Sequence, residues 1–286
     1  MKTSPDVDAD AMAETGRMHR IAPQVRRLVA PNPSAMTGPG TNTYLIGSDE
    51  CIVIDPGPDD PAHVDRILEL SGGRITAILC THSHTDHSPG AASLKRATTA
   101  PVFGRPAPKD EFQDKTYAPD GGLSEGQPFT IADDTLTAIH TPGHASNHVC
   151  FLLKNSGLLF TGDHLMSGST VVILPPDGSM RQYVDSLRRL QDLPLAAIAP
   201  GHGAVINDAQ ADIERVIAHR LARENKLVAA LSRRRAASLE DVLADVYDDV
   251  PAFLHPVARY SLLAHAIKLV EEGRAKVEES VYRWLG

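Results

Sequence analysis

Short apolar runs and helical patterns alternate over the first two thirds of the chain. The apolar runs predict strands over 43–47, 51–54, 75–80, 101–103, 129–131, 135–140, 148–153, 157–161 and 196–200. Between them, apolar residues spaced three and four positions apart predict helices over about 60–70, 88–97 and 180–192. Strands interspersed with helices are typical of a layered domain, so we predict an α+β fold for this region.

The pattern changes after about residue 205, where helical spacing replaces the short apolar runs. One long amphipathic helix is predicted from the apolar residues Ile213, Val216, Ile217, Leu221, Leu227, Val228 and Leu231. A second helix begins at Ser238, and a third covers about 256–272 and ends at Gly273. The segments 275–280 and 281–286 follow as two short strands. Three helices and a terminal hairpin are the layout of a winged helix.

These patterns divide the chain into three parts. Residues 1–18 are polar and lack periodicity, so we expect a disordered tail there. We predict a mixed α+β catalytic domain over 19–207 and a winged-helix domain over 208–286. A length of 286 residues is sufficient for one large domain and a smaller one.

The composition is that of a globular protein. Hydrophobic residues make up 42% of the chain, and the formal net charge is −8. No apolar stretch approaches the ~18 residues of a membrane span, and the N-terminal residues lack the apolar run of a secretory signal. We therefore expect a cytoplasmic protein with no membrane partner. Cys51, Cys80 and Cys150 each lie in an apolar strand-like run, which predicts buried, reduced thiols.

Charge is distributed unevenly along the chain. Residues 1–212 carry 16 basic and 25 acidic side chains, whereas residues 213–286 carry 12 and 11. Composition therefore gives no electrostatic reason for a polyanionic partner. The basic residues Arg233, Arg234, Arg235 and Arg259 either steer an anionic chain or form a solvated face of a packing domain or dimer surface, and a homodimer is left open.

The strongest chemical signal is the segment 81–87, which follows a predicted strand directly. It contains three imidazoles and a carboxylate within six residues, at His82, His84, Asp86 and His87. Imidazole and carboxylate are the usual ligands of divalent transition metals. With 13 histidines in 286 residues, this density is improbable by chance. The segment therefore predicts a metal site.

Single candidate ligands recur further along the chain, each where a strand gives way to a loop. His144, Asp163 and His202 all follow a glycine, which permits a tight turn at the strand tip. Together with the cluster they make seven candidate ligands, enough for two metal sites. We expect His148 to support the site or pack beside it, and the histidines at 19, 63, 219, 255 and 265 to lie on the surface or on helices.

The order His-x-His-x-Asp-His, then His, Asp and His, resembles the metallo-β-lactamase superfamily over roughly residues 20–205. The resemblance implies a four-layer αββα sandwich with the metals at one edge. It also implies a role for each matching residue: a first metal on His82, His84 and His144, a second on Asp86, His87 and His202, Asp163 bridging both, and Asp55 supporting the ligand loop.

A narrower resemblance covers nearly the whole chain. The segments 33–34 and 39–47, the helix from Tyr183 to Leu187 and the winged helix are similar to the β-lactamase-like protein 2 family. The chain departs from the animal members after Asp163, where it has His164-Leu165-Met166-Ser167 and a longer loop over 168–178. Both segments are expected to border the active site, so the substrate of the animal members is not carried over directly.

The resemblance implies a hydrolase with two zinc ions and a metal-bridging hydroxide as the nucleophile, and manganese or iron would fit the same ligands. Asp86 would also orient the proton of the nucleophile, and His164 is a hypothesis for the general acid. Single-stranded RNA is the substrate that the family resemblance implies. A thioester or lactone, as in glyoxalase II, is the alternative. A mononuclear iron persulfide dioxygenase is a third interpretation, which the complete second ligand set disfavours.

Overall fold

The structure is a computed structural model that describes residues 14–286. These residues form two compact units. The first unit contains 14–141, 147–170 and 193–210, and the second contains 142–146, 171–192 and 211–286. Most of the predicted N-terminal tail, residues 1–13, lies outside the described residues. Gly16 donates a main-chain hydrogen bond to the carbonyl of Val29, just before the first strand begins.

The first unit contains two β-sheets. The six-stranded sheet has the order β1 (Met18–Ala22), β2 (Val25–Val29), β3 (Asn42–Ile46), β4 (Cys51–Ile54), β5 (Ile75–Leu79) and β6 (Val102–Phe103). The five-stranded sheet contains β7 (Pro128–Ile131), β8 (Asp134–His140), β9 (Val149–Leu153), β10 (Leu158–Gly162) and β11 (Ala197–Pro200). Its spatial order is β11-β10-β9-β8-β7. The pairs β4–β5, β5–β6 and β10–β11 are parallel, and the others are antiparallel.

Apolar side chains from both sheets form one buried core in the first unit. It includes Ile54 from β4, Phe151 from β9 and the rings of Tyr44 and Phe160, whose centroids lie 5.0 Å apart. Burial of each such side chain contributes about 1.5–3 kcal/mol. Helices α1 (Pro61–Ser71) and α2 (Gly90–Thr98) contribute to a second core with the other face of the six-stranded sheet. The three cysteines are buried and form no disulfide, as expected.

The second unit contains the winged helix. The elements of this unit are α3 (Met180–Gln191), α4 (Ala209–Arg234), β12 (Ala236–Ala237), α5 (Leu239–Val246), α6 (His255–Glu271), β13 (Ala275–Glu278) and β14 (Val281–Trp284). The first two residues of α4 belong to the first unit. The small sheet has the order β12-β14-β13. The core contains Leu231 from α4, Val242 from α5, Leu262 from α6 and Tyr282 from β14. Among the described residues, no helix combines the length and the apolar character that a bilayer crossing requires.

The predicted elements agree with the structure to within a few residues at each end, but the first two strands and the two-residue β12 were not predicted. β1 and β2 pair with each other, and β2 pairs with β3. Positively charged side chains interrupt both strands, and Arg27 is nevertheless 1% exposed. A buried arginine hides the alternation of apolar and polar residues by which a strand is recognised in a sequence.

Candidate metal centre

The histidine-rich loop begins at the end of β5 and lies where several strands of the first unit end. His82 and His87 are almost completely buried, at 1% and 0% exposure, whereas His84 and Asp86 are partly exposed. Asp163 follows β10 directly and His202 follows β11, its parallel neighbour. Because parallel strands end at the same edge of a sheet, these two side chains are delivered to one place.

Two carboxylates of the first unit face the same two imidazoles. The Nε2 atom of His87 lies 3.3 Å from Oδ1 of Asp163 and 3.5 Å from Oδ2 of Asp86. The Nε2 atom of His202 lies 3.2 Å from the same Asp163 oxygen and 3.3 Å from the same Asp86 oxygen. The ligand atoms of Asp86, His87 and His202 all lie within 4.8 Å of one another.

A second trio shares two of its members with this arrangement. The ligand atoms of His82, His87 and Asp163 also lie within 4.8 Å of one another. His84 is beside them, with its Nδ1 atom 3.0 Å from Nε2 of His82. The structure therefore brings together six of the seven sequence-predicted ligands: His82, His84, Asp86, His87, Asp163 and His202.

The seventh predicted ligand, His144, is on a short segment of the second unit. Its Nδ1 atom lies 3.0 Å from the main-chain carbonyl of Val172, which also belongs to the second unit. This contact fixes one ring nitrogen and directs the other away from Val172. Its place in the ligand set of the first metal stays a prediction from the sequence.

The charges at the site depend on one another. Burial lowers the pKa of His202, but the charge and hydrogen bonds of Asp163 and Asp86 outweigh burial and raise it to about 9. Burial likewise lowers the pKa of His87, and the surrounding carboxylates raise it well above its usual value. By contrast, burial and the neighbouring histidines hold the pKa of His82 well below its usual value. The carboxylates thus require positive charge beside them.

These residues fit a divalent metal ion. Nε2 of His87 is buried and makes no hydrogen bond, although two carboxylate oxygens lie close to it. A buried nitrogen without a partner is costly unless something else binds it. Nitrogen and oxygen donors of this kind suit zinc, manganese and iron. A cation would also replace the protons on His87 and His202 as the source of positive charge.

Asp55 holds the ligand loop through both of its carboxylate oxygens. Oδ1 accepts a hydrogen bond from the main-chain nitrogen of Thr81 at 2.7 Å, and Oδ2 accepts one from the Thr81 hydroxyl at 2.7 Å. The Nδ1 atom of His87 lies 2.9 Å from Oδ2, and Nδ1 of His82 lies 3.0 Å from the Thr81 hydroxyl oxygen. A single carboxylate therefore orients one candidate ligand directly and another through Thr81.

His148 and His164 lie behind the site and are completely buried. The Nδ1 atom of His148 lies 2.9 Å from the hydroxyl oxygen of Thr141. Its ring centroid is 5.1 Å from that of His82 and 5.6 Å from that of His164. This placement puts His148 in a supporting position, and the 0% exposure of His164 means that a substrate meets other groups first.

The glycines of two ligand motifs act in different ways. Gly162 has a φ of +45°, which allows the turn between β10 and Asp163 that the sequence predicts. Gly201 has no positive φ. Glycine is required there because the neighbouring side chains are close: a Cβ atom at 201 would lie 2.8 Å from both Oδ1 of Asp163 and a ring carbon of His87. The sequence predicted that Gly201 permits a tight turn, whereas the structure shows that glycine is needed at 201 to avoid a steric clash.

Several residues that hold the ligand loops are absent from the sequence-based prediction. The Ser83 hydroxyl donates to Oε1 of Gln113 at 2.5 Å and accepts a hydrogen bond from Asn147 at 2.7 Å. The Ser88 hydroxyl donates to Asp114 at 2.9 Å. No local sequence motif indicates these contacts, because the bonded partners lie 26 to 64 positions apart in the chain.

The sequence patterns of two known families match the chain. The metallo-beta-lactamase superfamily matches residues 36–202, and the beta-lactamase associated winged helix domain matches residues 238–284. The chain belongs to the metallo-β-lactamase superfamily, and it is a metallo-hydrolase of that superfamily with a C-terminal winged helix. The predicted fold class is therefore confirmed.

Relatives of the chain resemble it over most of its length. A beta-lactamase-like protein 2 homolog from Drosophila melanogaster is 35% identical over 283 residues, which cover 94% of this chain and 95% of that protein. An atrochrysone carboxyl ACP thioesterase from Aspergillus chevalieri is 34% identical over 249 residues, covering 82% and 76%. The solved structure of a metallo-beta-lactamase family protein from Thermus thermophilus has a TM-score of 0.74 at 22% identity, covering 93% and 100%.

Proposed function

We propose that the chain is a hydrolase of thioesters or related esters that uses two divalent metal ions, with zinc the favoured metal and manganese or iron as alternatives. The observation that carries the proposal is the shared geometry of Asp163 and Asp86. Each carboxylate faces both His87 and His202 at 3.2 to 3.5 Å, beside the pair His82 and His84. We assign His82, His84 and, from the sequence motif, His144 to one metal.

Two bound divalent ions would polarise the scissile carbonyl and lower the pKa of the attacking water. The chain's own residues hold and orient the reacting groups. Asp55 and Thr81 fix the rings of His87 and His82 so that their Nε2 atoms face the site. Asp86 is the more exposed of the two shared carboxylates, with 28% of its side chain accessible against 11% for Asp163. We therefore assign Asp86 the orientation of the attacking water's proton.

Protonation of the leaving group is assigned less directly. His164 is the candidate general acid from the sequence, but its side chain is fully buried. A general acid has to come within hydrogen-bonding distance of the leaving atom in the complex. The substitution His164→Ala tests this role: a general acid requires a large loss of kcat with the metal content intact.

Charge favours a small ester over a polynucleotide. Residues 1–212 carry 25 acidic and 16 basic side chains, which opposes the approach of a polyanion. Three of the four basic residues that would steer RNA are engaged in ion pairs: Arg233 lies 3.1 Å from Asp245, Arg234 also pairs with Asp245, and Arg259 donates to Glu240 at 2.7 Å. The thioesterase among the relatives supports the same choice of substrate.

Cleavage of single-stranded RNA is the second candidate, as the resemblance to the β-lactamase-like protein 2 family implies. The observation that favours it is the hairpin of the winged helix, where the exposed Arg283 lies opposite the exposed Lys276 in the pairing of β13 and β14, although Lys276 also pairs with Glu278 at 3.1 Å. RNA cleavage should depend steeply on salt, because each neutralised phosphate releases counterions.

The deciding experiment compares both substrates with one preparation. Protein loaded with zinc, manganese or iron is assayed with an acyl-N-acetylcysteamine thioester and with end-labelled single-stranded RNA, beside the Asp163→Ala variant. Metal-dependent thioester hydrolysis that Asp163→Ala abolishes supports the proposal. Metal-dependent RNA cleavage without thioester hydrolysis would establish the second candidate. One iron per chain, retained without Asp163 and accompanied by oxygen uptake with a persulfide, would contradict both.

A further inference from the structure

Large apolar side chains are exposed at only two positions among the described residues of the first unit, Met36 and Phe112. Their exposed fractions are 56% and 48%. The remaining exposed large apolar residues of the described chain, such as Phe253 at 78%, belong to the second unit. Scattered apolar residues on a surface need no explanation by themselves. The exposure of Met36 and Phe112 does need an explanation, because each residue is on a loop fixed to a segment that contains a candidate metal ligand.

Phe112 is placed beside the histidine-rich loop by main-chain pairing. Gln113 forms an isolated antiparallel bridge with His84, and the main-chain nitrogen of Asp114 donates to the carbonyl of Ser83 at 2.7 Å. Phe112 directly precedes Gln113 in the chain, and the ligand loop turns directly after His84, so Phe112 lies next to the pair that joins the two loops.

The side chains of this loop separate into buried and exposed groups. The side chain of Gln113 is 6% exposed and bonds to Ser83, so it is directed into the unit. Phe112, the residue before Gln113, is 48% exposed. Phe112 is thus directed outward at the rim of the metal centre, and the bridge to His84 fixes its main chain there.

Met36 is placed in a comparable way on the loop between β2 and β3. Asn32 closes this loop by accepting from the main-chain nitrogen of Thr41 at 2.9 Å and donating to its hydroxyl at 2.9 Å. Thr41 forms an isolated bridge with the candidate ligand His202. The Nδ1 atom of His202 lies 3.2 Å from the carbonyl of Gly40. The loop that exposes Met36 is therefore fixed to the ligand loop that follows β11.

We propose that Phe112 and Met36 contact the acyl group of the substrate, and that the substrate is an ester or thioester with a large apolar or aromatic acyl group. This inference rests on the proposed ester hydrolysis and specifies its substrate class. Phe112 is adjacent to the residue that pairs with His84, and Met36 is on the loop whose base pairs with His202. An acyl group bound between these loops covers apolar surface that water otherwise contacts, which stabilises the complex in proportion to the area covered.

An aromatic side chain beside a metal site also suits stacking on a nucleobase. Two observations favour an acyl group. Met36 has no aromatic face, and thioether side chains adapt to irregular apolar groups. The acidic excess of residues 1–212 also opposes a polyphosphate backbone.

The test uses a series of acyl-N-acetylcysteamine thioesters, from acetyl through butyryl and octanoyl to benzoyl, with the metal-loaded protein. The variants are Phe112→Ala, Met36→Ala and the matched control Phe253→Ala, which removes an exposed phenylalanine of the second unit. We expect kcat/KM of the unsubstituted protein to rise with acyl size. In Phe112→Ala the loss should be about tenfold larger for octanoyl and benzoyl than for acetyl, and Met36→Ala should show a smaller loss of the same pattern. Phe253→Ala should follow the unsubstituted protein.

A binding measurement separates this inference from the proposed function. Thioether analogues of the same acyl series cannot be hydrolysed, and calorimetry gives their affinity independently of turnover. Thioester turnover without any dependence on acyl size, or equal losses for acetyl and octanoyl in Phe112→Ala, would overturn the inference and leave the ester hydrolase intact. Absence of both turnover and analogue binding would overturn the proposed function with it. RNA cleavage that falls in Phe112→Ala while thioester kinetics stay unchanged would replace the acyl group with a nucleobase.

Discussion

Glu224 in the second unit and Asp163 in the first are both buried carboxylates, at 5% and 8% exposure, but their surroundings differ. Glu224 lies 2.8 Å from the ammonium of Lys268 and 2.8 Å from the guanidinium of Arg274. Asp163 faces the imidazoles of His87 and His202 instead. Lysine and arginine carry a permanent charge near neutral pH, whereas an imidazole is charged only while it holds a proton.

This difference separates a structural cluster from a functional one. Burial raises the pKa of Glu224, but the nearby His265 ring and the close contact and charge of Lys268 outweigh burial and lower that pKa to about 2. Its charge is compensated entirely within the fold. At Asp163 the compensating protons can be exchanged for a cation, because His87 and His202 offer nitrogen ligands once they are deprotonated. Each prediction below tests one side of this distinction.

The largest effect is expected from Asp163→Ala. The substitution removes the oxygen that both His87 and His202 face, so in the proposed two-metal site both metals would lose a ligand. Because metal-assisted charge stabilisation contributes several kcal/mol, kcat/KM should fall by about 10³-fold or more. The rise in melting temperature on metal addition, worth about 2.7 kcal/mol at 100 times the dissociation constant, should also disappear. Metal analysis and thermal melts measure both, with Asp185→Ala as a control at an exposed aspartate. Two metals per chain in Asp163→Ala would contradict the bridging role.

Glu224→Gln should have the next largest effect, on stability alone. The variant leaves the ammonium of Lys268 and the guanidinium of Arg274 without their shared carboxylate. Breaking a buried ion pair on one side costs about 3–5 kcal/mol. Denaturant unfolding should show this loss equally with and without metal. Glu240→Gln, which removes an exposed partner of Arg259, should leave the free energy of unfolding almost unchanged, because solvent screens an exposed ion pair. A loss in Glu224→Gln that occurs only in the presence of metal would show that the two clusters are not distinct.

Asp55→Asn should weaken the metal centre without destroying it. An amide cannot accept hydrogen bonds through both of its terminal atoms, so Thr81 and His87 lose part of their orientation. Losses of about 10–100-fold in metal affinity are typical when such an outer partner is changed. We expect kcat to recover at high metal concentration, which distinguishes orientation from direct participation. Asp60→Asn is the matched control, since asparagine also caps α1. Activity that excess metal fails to restore would contradict this role.

The sequence predicted the ligand set because metal chemistry restricts the choice of residues. Six candidate ligands come together in the first unit, and they follow directly from a motif in which histidine and aspartate recur at the ends of strands. The fold class followed from the same motif and from the apolar pattern. The supporting contacts were not predictable in this way. Asn147 reaches Ser83 across 64 positions, and nothing in the local sequence of either residue indicates the contact.

The buried charges of the second unit were missed for a related reason. On a helix, glutamate usually indicates a solvated position, and Glu224 is buried only because Lys268 and Arg274 reach it from α6 and the residues after it. His265 and His63 are on helices, as expected, but the sequence did not indicate that their side chains are only 1% and 3% exposed. Burial of a polar residue depends on a partner that the three-dimensional fold supplies.

The smallest predicted effect is on the pH dependence of stability, and it comes from His63. This residue is buried in the first unit away from the metal ligands, and its burial determines the sign of the effect. The Thr43 hydroxyl donates to the carbonyl of Asp55 at 2.7 Å, so it accepts a hydrogen bond from Nε2 of His63 at 2.9 Å. Burial lowers the pKa of His63 to about 4, although the charge of Asp60 raises it slightly. The unfolded chain therefore binds a proton below about pH 6.5 that the folded chain does not bind until about pH 4. The stability that neutral His63 contributes is present above about pH 6.5 and is lost as the pH falls toward 4.

Between pH 8 and pH 5 the unsubstituted protein should lose about 2 kcal/mol more stability than His63→Gln, whose amide can still donate to Thr43 without titrating. Chemical unfolding in the presence of a chelator measures the difference, because removal of metal eliminates the pH dependence of metal binding. All other titrating groups, including His219 and His265, are common to the two proteins and cancel. Parallel pH profiles would mean that His63 is protonated in the fold near neutral pH, and the first unit would then compensate a buried charge internally, as the second unit does.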